Sequence, residues 1–375
     1  MKKFLAILLA LAMIIAMVAC GASDKAPAAD DTGKAEDSSS ADTGADAGTR
    51  DPYKIAYLCN DLSWVWNKTI SDNFEKLATK YNYEYTSYAC LNDFDAFINQ
   101  IYTYADNGYD AFIIGADNNL APRAYEVCKE VGVAFVAEST AFVDTDGNCI
   151  WPSVEQDQMY NGALCIEWLY ENYKSYWGED VDLSTLGLAI IDFSVIIGIH
   201  EREIGATAKF NELFPEASAN YFNGDLVSLG SGGFSLQGAN TMATTILSSN
   251  PQIEHWFVVC NVDDWAMGAA RAVEALNMTD RVLVVSVQAD AFVKEMESTQ
   301  GNTPYVAAGA VSAADFSINM IECLITILDG KETAETIWPE WVAEGASYPS
   351  MKIKAVMITK DTYTDYLDAE AAKLA

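Results

Sequence analysis

The chain has 375 residues, 51% of them hydrophobic, and a formal charge of −32. A surface that acidic repels nucleic acid and anionic lipid, which argues against a DNA- or RNA-binding role and for solubility in a crowded setting. The length and apolar content suit two cores of ordinary domain size better than one.

The N-terminus begins with Lys2 and Lys3, continues as an apolar run from Phe4 to Ala19 too short to span a bilayer comfortably, and reaches Met17-Val18-Ala19-Cys20, which resembles the bacterial lipobox. It predicts a signal peptide over 1–19, cleavage before Cys20, and a lipid on the Cys20 sulfur. The product is then extracytoplasmic and anchored to the bacterial cell membrane by lipid alone. From Gly21 to Arg50 there is no Val, Ile, Leu, Met, Phe, Trp or Tyr. Nothing there offsets the entropy of ordering, so 20–52 is expected to be the lipidated Cys and a disordered linker with an end-to-end distance of about 30 Å.

Beyond the linker, β-rich runs alternate with helix-period segments. Strands are predicted at Lys54–Cys59, Tyr83–Ala89, Ala111–Gly115, Val133–Ala137, Leu186–Ile191, His255–Cys260, Val282–Val287, Tyr305–Ala310 and Lys354–Thr359. After the second, Asp93–Asn107 sets Phe94, Phe97, Ile98, Ile101, Tyr104 and Ala105 at helical spacing. Strands so uniformly apolar are covered on both faces, which predicts doubly wound parallel sheets with helices on either side. Near Cys149–Gln158 the pattern turns extended and polar before a helix begins at about Gln158, so the body is read as two similar α/β lobes.

In open parallel sheets ligands sit at the carboxyl ends of strands. The residues directly after the apolar runs are Asn60, Asp61, Trp64 and Trp66; Asp117; Glu138 and Ser139; Asp192 and Arg202; Asn261 and Asp263; Gln288 and Asp290. Carboxylates, amides and an arginine suit hydroxyl groups, and tryptophans offer flat apolar faces, the pairing a sugar ring requires. Trp64 or Trp66 taken alone reads equally well as a core residue at a helix start.

Enzyme signatures are weak by comparison. No G-x-G-x-x-G follows the first strand, and Gly230-Ser231-Gly232-Gly233 lacks the Lys-Ser/Thr ending of a phosphate loop and precedes a predicted Phe234–Ser249 helix. There is no G-x-S-x-G elbow, and His200 and His255 lack metal or triad spacing. Asp263 and Asp264, adjacent at a helix start, point apart. A binding protein without cofactor or metal is expected. Seven cysteines follow Cys20 at irregular spacing and read as small buried residues; a Cys59–Cys90 disulfide requires those strand ends to be neighbours.

Three stretches carry a family likeness: Pro251–Trp256 through Asp263 and Gly268 to Arg271; Val356–Asp361; and Arg202 placed before Gly205. From about Lys54 onward the chain resembles the periplasmic sugar-binding proteins of the ribose/galactose/arabinose type, substrate receptors of ABC importers, above all those for L-arabinose. The resemblance implies a type I periplasmic-binding-protein fold with crossings near Ser153–Gln158, Ala310–Ala313 and Ile337–Trp341. It implies an N-terminal lobe of 53–155 plus 312–337 and a C-terminal lobe of 156–311 plus 338–375. It further implies that Trp66 and Trp64 stack on a sugar ring, that Glu138, Asp263 and Gln288 accept from hydroxyls, and that Arg202 donates. Asn60 stands where the arabinose pattern has lysine, Trp64 where it has glutamate, Ser139 where it has aspartate, and Val262, beside Asn261, where it has asparagine. The implied product is a monomeric receptor that delivers a monosaccharide to an ABC permease by hinge closure. A nucleoside- or signalling-molecule-binding lipoprotein is the alternative; a repressor of the same fold is disfavoured by the leader that stands where a DNA-binding module belongs.

Overall fold

The computed structural model describes residues 50–117 and 119–375; the predicted signal peptide, the predicted lipidation site Cys20 and nearly all of the predicted linker lie outside the described residues. The body opens with β1 (Tyr53–Cys59), α1 (Val65–Tyr81), β2 (Tyr83–Ala89), α2 (Phe94–Asp106), β3 (Ala111–Ile114), α3 (Ala121–Val131), β4 (Ala134–Glu138) and β5 (Ser153–Gln156). It continues with α4 (Gln158–Trp177), β6 (Leu186–Asp192), α5 (Ile197–Leu213), β7 (Tyr221–Asp225), α6 (Leu236–Ser249), β8 (His255–Cys260), α7 (Asp263–Ala275), β9 (Val282–Val287), α8 (Asp290–Thr299) and β10 (Tyr305–Ala310). The chain ends with α9 (Ala313–Leu328), β11 (Ser350–Ile353), β12 (Val356–Thr359) and α10 (Tyr363–Leu374).

Local chemistry sets these boundaries. Asp93 and Asp157 cap α2 and α4 by accepting the backbone N–H groups of Ala96 and Tyr160, and Ser312 caps α9 through Asp315 N–H. Gly132 ends α3 at φ +69°, a conformation a side chain resists.

The strands form two six-stranded sheets, ordered β11-β5-β4-β3-β1-β2 and β12-β10-β9-β8-β6-β7. Every pairing is parallel except β10 with β12. The chain winds both sheets the same way and reverses direction between β1 and β3 in one and between β6 and β8 in the other. These are the switch points at which open sheets leave a crevice. Each sheet is buried on both faces. In β1, Ile55, Tyr57 and Cys59 enter one apolar cluster while Ala56 and Leu58 enter another, the period of two expected of a covered strand.

That alternation decides the cysteine question. Cys59 pairs in register with Ala89, so Cys90, one residue on, faces the other way; the two thiols lie in clusters on opposite sides of the sheet. All seven described cysteines are free and buried, and the conditional Cys59–Cys90 bridge is not formed.

The nine predicted strands are all present, with ends shifted by a residue or two, but β5, β7 and β11 were not foreseen. Two crossings lie at Asp157 and at Val311–Ser312, and α9 returns to the first sheet, where Phe316, Met320, Ile321 and Leu324 join its core. The third differs. β11 pairs with β5 in the first sheet, so the chain passes between lobes at Lys354–Ala355 and not near Ile337–Trp341. Residues up to Ile353 therefore stay with the first sheet, and the predicted strand from Lys354 begins only at Val356, once the crossing is complete.

Candidate functional site

All three crossings leave from strand carboxyl ends, those of Gln156, Ala310 and Ile353, so the carboxyl edges of both sheets share the hinge side. On the first lobe this edge holds a buried carboxylate. Glu138, last residue of β4 and 4% exposed, accepts from Trp66 Nε1 at 3.2 Å, from Tyr57 Oη at 3.3 Å and from the Ser139 hydroxyl. Burial raises its pKa, against the three hydrogen bonds. With those donors in place, its main effect here is to fix Trp66, whose indole also meets Phe316 edge-on at 5.1 Å. Gly115, after β3, gives the carboxylate room: a Cβ there would lie 2.6 Å from Glu138 Oε2. Ser139 takes φ +60° to turn the chain away.

Asn60 and Trp64 lie further out. The Asn60 side chain accepts from Asn92 N–H at 2.7 Å and donates to Asn92 Oδ1 at 2.9 Å, tying together the loops after β1 and β2. Trp64 stands at the N-cap of α1 and is 50% exposed, so it is no core residue.

The second lobe presents a denser polar cluster. Arg202, on α5, is buried; its Nε donates to Gln158 Oε1 at 2.6 Å, its Nη2 to Gln156 Oε1 at 3.0 Å, and its Nη1 to the carbonyl of Asn261. Desolvation lowers its pKa to about 10, which leaves it charged at neutral pH. Gln156 belongs to β5 in the first sheet, so this guanidinium joins the lobes across the hinge. The Asn261 amide donates to Asp192 Oδ1 at 2.9 Å and to the Ile199 carbonyl at 3.1 Å, while its Oδ1 is buried without a partner among the described residues. Asp192 in turn holds His200 Nδ1 at 2.7 Å, and that hydrogen bond raises the histidine's pKa.

Asp263 opens α7 and accepts the backbone N–H of Ala291 at 2.6 Å and of Asp264 at 3.1 Å, linking α7 to the start of α8. Burial pushes its pKa up to about 7. Gln288, after β9, adopts φ +72° and donates its backbone N–H to Gly309 at 2.9 Å. Trp66 and Gln288, from opposite lobes, line one groove of about 400 Å³. A second hollow, near Tyr170 and Leu213 on the outer flank of the second lobe, is remote from the strand ends.

The strand-end residues thus gather as Trp66, Glu138 and Ser139 on one side and Arg202, Asn261 and Asp263 on the other, with Gln288 facing Trp66 across the groove. The sequence reading missed Gln156 and Gln158, which sit in a crossing that looks like a polar linker, and Tyr57, a core-strand residue with no distinguishing signal. Among the described residues there is no cluster of metal-ligating side chains and no helix long and apolar enough to cross a membrane.

Solved structures share this architecture. An ABC transporter solute binding protein from Bacillus halodurans C-125, determined with bound myo-inositol, is 16% identical, with a TM-score of 0.63 over 86% of this chain and 99% of its own. A periplasmic solute binding protein from Actinobacillus succinogenes 130z with bound D-allose is 17% identical, TM-score 0.64, over 84% of this chain and 100% of its own. The arabinose binding protein AraP of Geobacillus stearothermophilus is 14% identical, TM-score 0.63, over 84% and 99%. At such identities the likeness is one of fold. No curated protein matches the sequence. Residues 55–332 match the periplasmic binding protein domain, and over that span, most of the body, the chain belongs to this family of solute-binding, non-catalytic proteins.

Proposed function

We propose that the protein is the lipid-anchored solute receptor of an ABC importer, binding a saccharide between its lobes and presenting the closed form to a permease. The observation that carries this reading is the chemistry of the two facing edges: an indole fixed by a buried carboxylate on one, and an arginine–asparagine–aspartate cluster on the other. The flat apolar face suits a sugar's C–H surface, and the planar polar groups suit its hydroxyls. Among the similar solved structures one holds D-allose, a monosaccharide, and another myo-inositol, a ring of hydroxyls of like size, although the departures at Asn60, Trp64, Ser139 and Val262 separate this cleft from the arabinose pattern.

Ligand held by one lobe gains contacts to the other and so favours closure by its differential affinity for the two states. The exposed apolar side chains of the strand-end loops, Trp64, Leu91 and Phe94 on one lobe and Val195, Ile197 and Phe234 on the other, would lose water in that motion. Attachment through Cys20 keeps the body near the permease on a linker. Calorimetric titration of the purified full-length chain with pentoses, hexoses and nucleosides tests the proposal. Stoichiometric binding of a monosaccharide or its derivative supports it, whereas binding confined to nucleosides transfers the receptor role to that class.

A further inference from the structure

We infer that the saccharide is longer than one ring, with a second ring or sugar-like substituent seated in the groove between α1, α8 and α10. This rests on the saccharide reading above and extends it from ligand class to ligand length. The groove's inner end is formed by Trp66 and Gln288, the two residues already assigned to ring stacking and hydroxyl binding. The same groove is lined by Asn73, Asp290, Val311 and Tyr366, so that one ligand can touch the strand-end residues and the flank together. Its volume of about 400 Å³ falls in the range of clefts that enclose whole small ligands.

Polar groups on its walls are open to a ligand, among them those of Asn73, Tyr366 and Asp290. Asn73 is only 4% exposed, yet its side-chain amide makes no hydrogen bond among the described residues. Its polar atoms open onto the groove, where water or a ligand hydroxyl can pair with them. The Tyr366 hydroxyl and the Asp290 carboxylate also make no hydrogen bond among the described residues; burial raises the pKa of both, against the charge of nearby Lys294 in the case of Asp290. An amide, a phenol and a carboxyl beside apolar Val311, with Lys76 and Lys294 on the same walls, offer the donors, acceptors and apolar surface that a second hydroxylated ring requires. The far wall is held in place: Glu370 of α10 accepts from the Ser312 hydroxyl at 2.6 Å and from Ala314 N–H at 3.0 Å, and Lys373 reaches Asp315 at 2.8 Å. α10 therefore joins the second lobe to the start of α9 on the first, and the groove is walled by both lobes.

The test is calorimetric titration of the full-length chain with glucose, galactose, allose, arabinose and myo-inositol, and with maltose, cellobiose, lactose, melibiose and gentiobiose. At least one disaccharide is expected to bind about tenfold tighter than either component sugar. Asn73→Leu is expected to abolish that advantage while leaving monosaccharide affinity within about twofold. Should Asn73→Leu fail to fold, Tyr366→Phe, which removes one hydroxyl from the outer wall, carries the same comparison. Monosaccharides binding as tightly as every disaccharide, or an advantage untouched by these variants, overturns the inference and leaves the saccharide reading standing. If a folded chain binds no saccharide of either length, both fall together.

Discussion

Arg202 is held by acceptors from three places: a glutamine in β5, another in the first turn of α4, and the main chain after β8. Removing it leaves buried Gln156, half-buried Gln158 and the Asn261 carbonyl without that donor, as well as any ligand oxygen it meets. Arg202→Ala is expected to stay folded with stability reduced by about 1–3 kcal/mol, and to weaken saccharide binding by more than about tenfold. Near-native affinity in calorimetry would remove Arg202 from the site. Glu138 gives a complementary case. Glu138→Ala leaves the Tyr57 hydroxyl buried without a partner and frees the Trp66 indole, so both stability and affinity are expected to fall, with a loss of about 1–3 kcal/mol in denaturant unfolding.

Asp263 makes stability depend on pH in a direction opposite to the usual carboxylate. Its folded pKa, about 7, lies above its ordinary value of 3.8 because burial disfavours the charged form. Between these values the folded state binds the proton more tightly than the unfolded chain does. Its contribution is therefore complete below the unfolded pKa and is lost as pH rises through the folded one. Melting temperature measured from pH 5 to 8 is expected to decline more in the native chain than in Asp263→Asn, whose amide oxygen can still accept Ala291 N–H. Parallel pH profiles for the two would exclude this role for Asp263.

At the scale of elements, the positioning of Arg202 depends on how closely α4 and α5 approach. Gly162 and Gly205 face the opposing helix's backbone, at Arg202 and Met159 respectively, with no room for a Cβ at either. Gly205→Ala must push the helices apart and is expected to cost about 1–3 kcal/mol in unfolding free energy, with weaker ligand binding as a secondary effect. An unchanged denaturation midpoint would contradict that packing. Strands were legible in the sequence where both faces are covered: β8 and β9 are continuous apolar runs and appear at their predicted bounds. Those missed lack that signature. β7 and β11 are edge strands with partly exposed residues, and β5, Ser-Val-Glu-Gln, buries polar Ser153 and Gln156 that resemble linker. Mistaking β11 for loop is what displaced the third crossing. The candidate site was legible to the extent that strand ends were: Glu138 and Asn261 stand where that rule puts them, whereas Gln156 meets Arg202 only through a crossing no local pattern reveals.

For the whole molecule, the two sheets repeat one winding order, and three chain crossings with the Arg202 and α10 contacts join them. In the proposed receptor role such a body would respond to ligand by shifting between arrangements of its lobes, and only a ligand that prefers the closed arrangement would shift it. The acidic surface suits the proposed tethered receptor, which must stay soluble and unattached to anionic headgroups.

The most direct test of the central claim is a thermal-shift measurement on the purified full-length chain against a panel of mono- and disaccharides, with nucleosides as comparison. A saccharide at one hundred times its dissociation constant adds about 2.7 kcal/mol of stability, so at least one member of the panel is predicted to raise the melting temperature by several degrees. A cooperatively folded chain whose melting temperature moves with none of the saccharides would contradict the account.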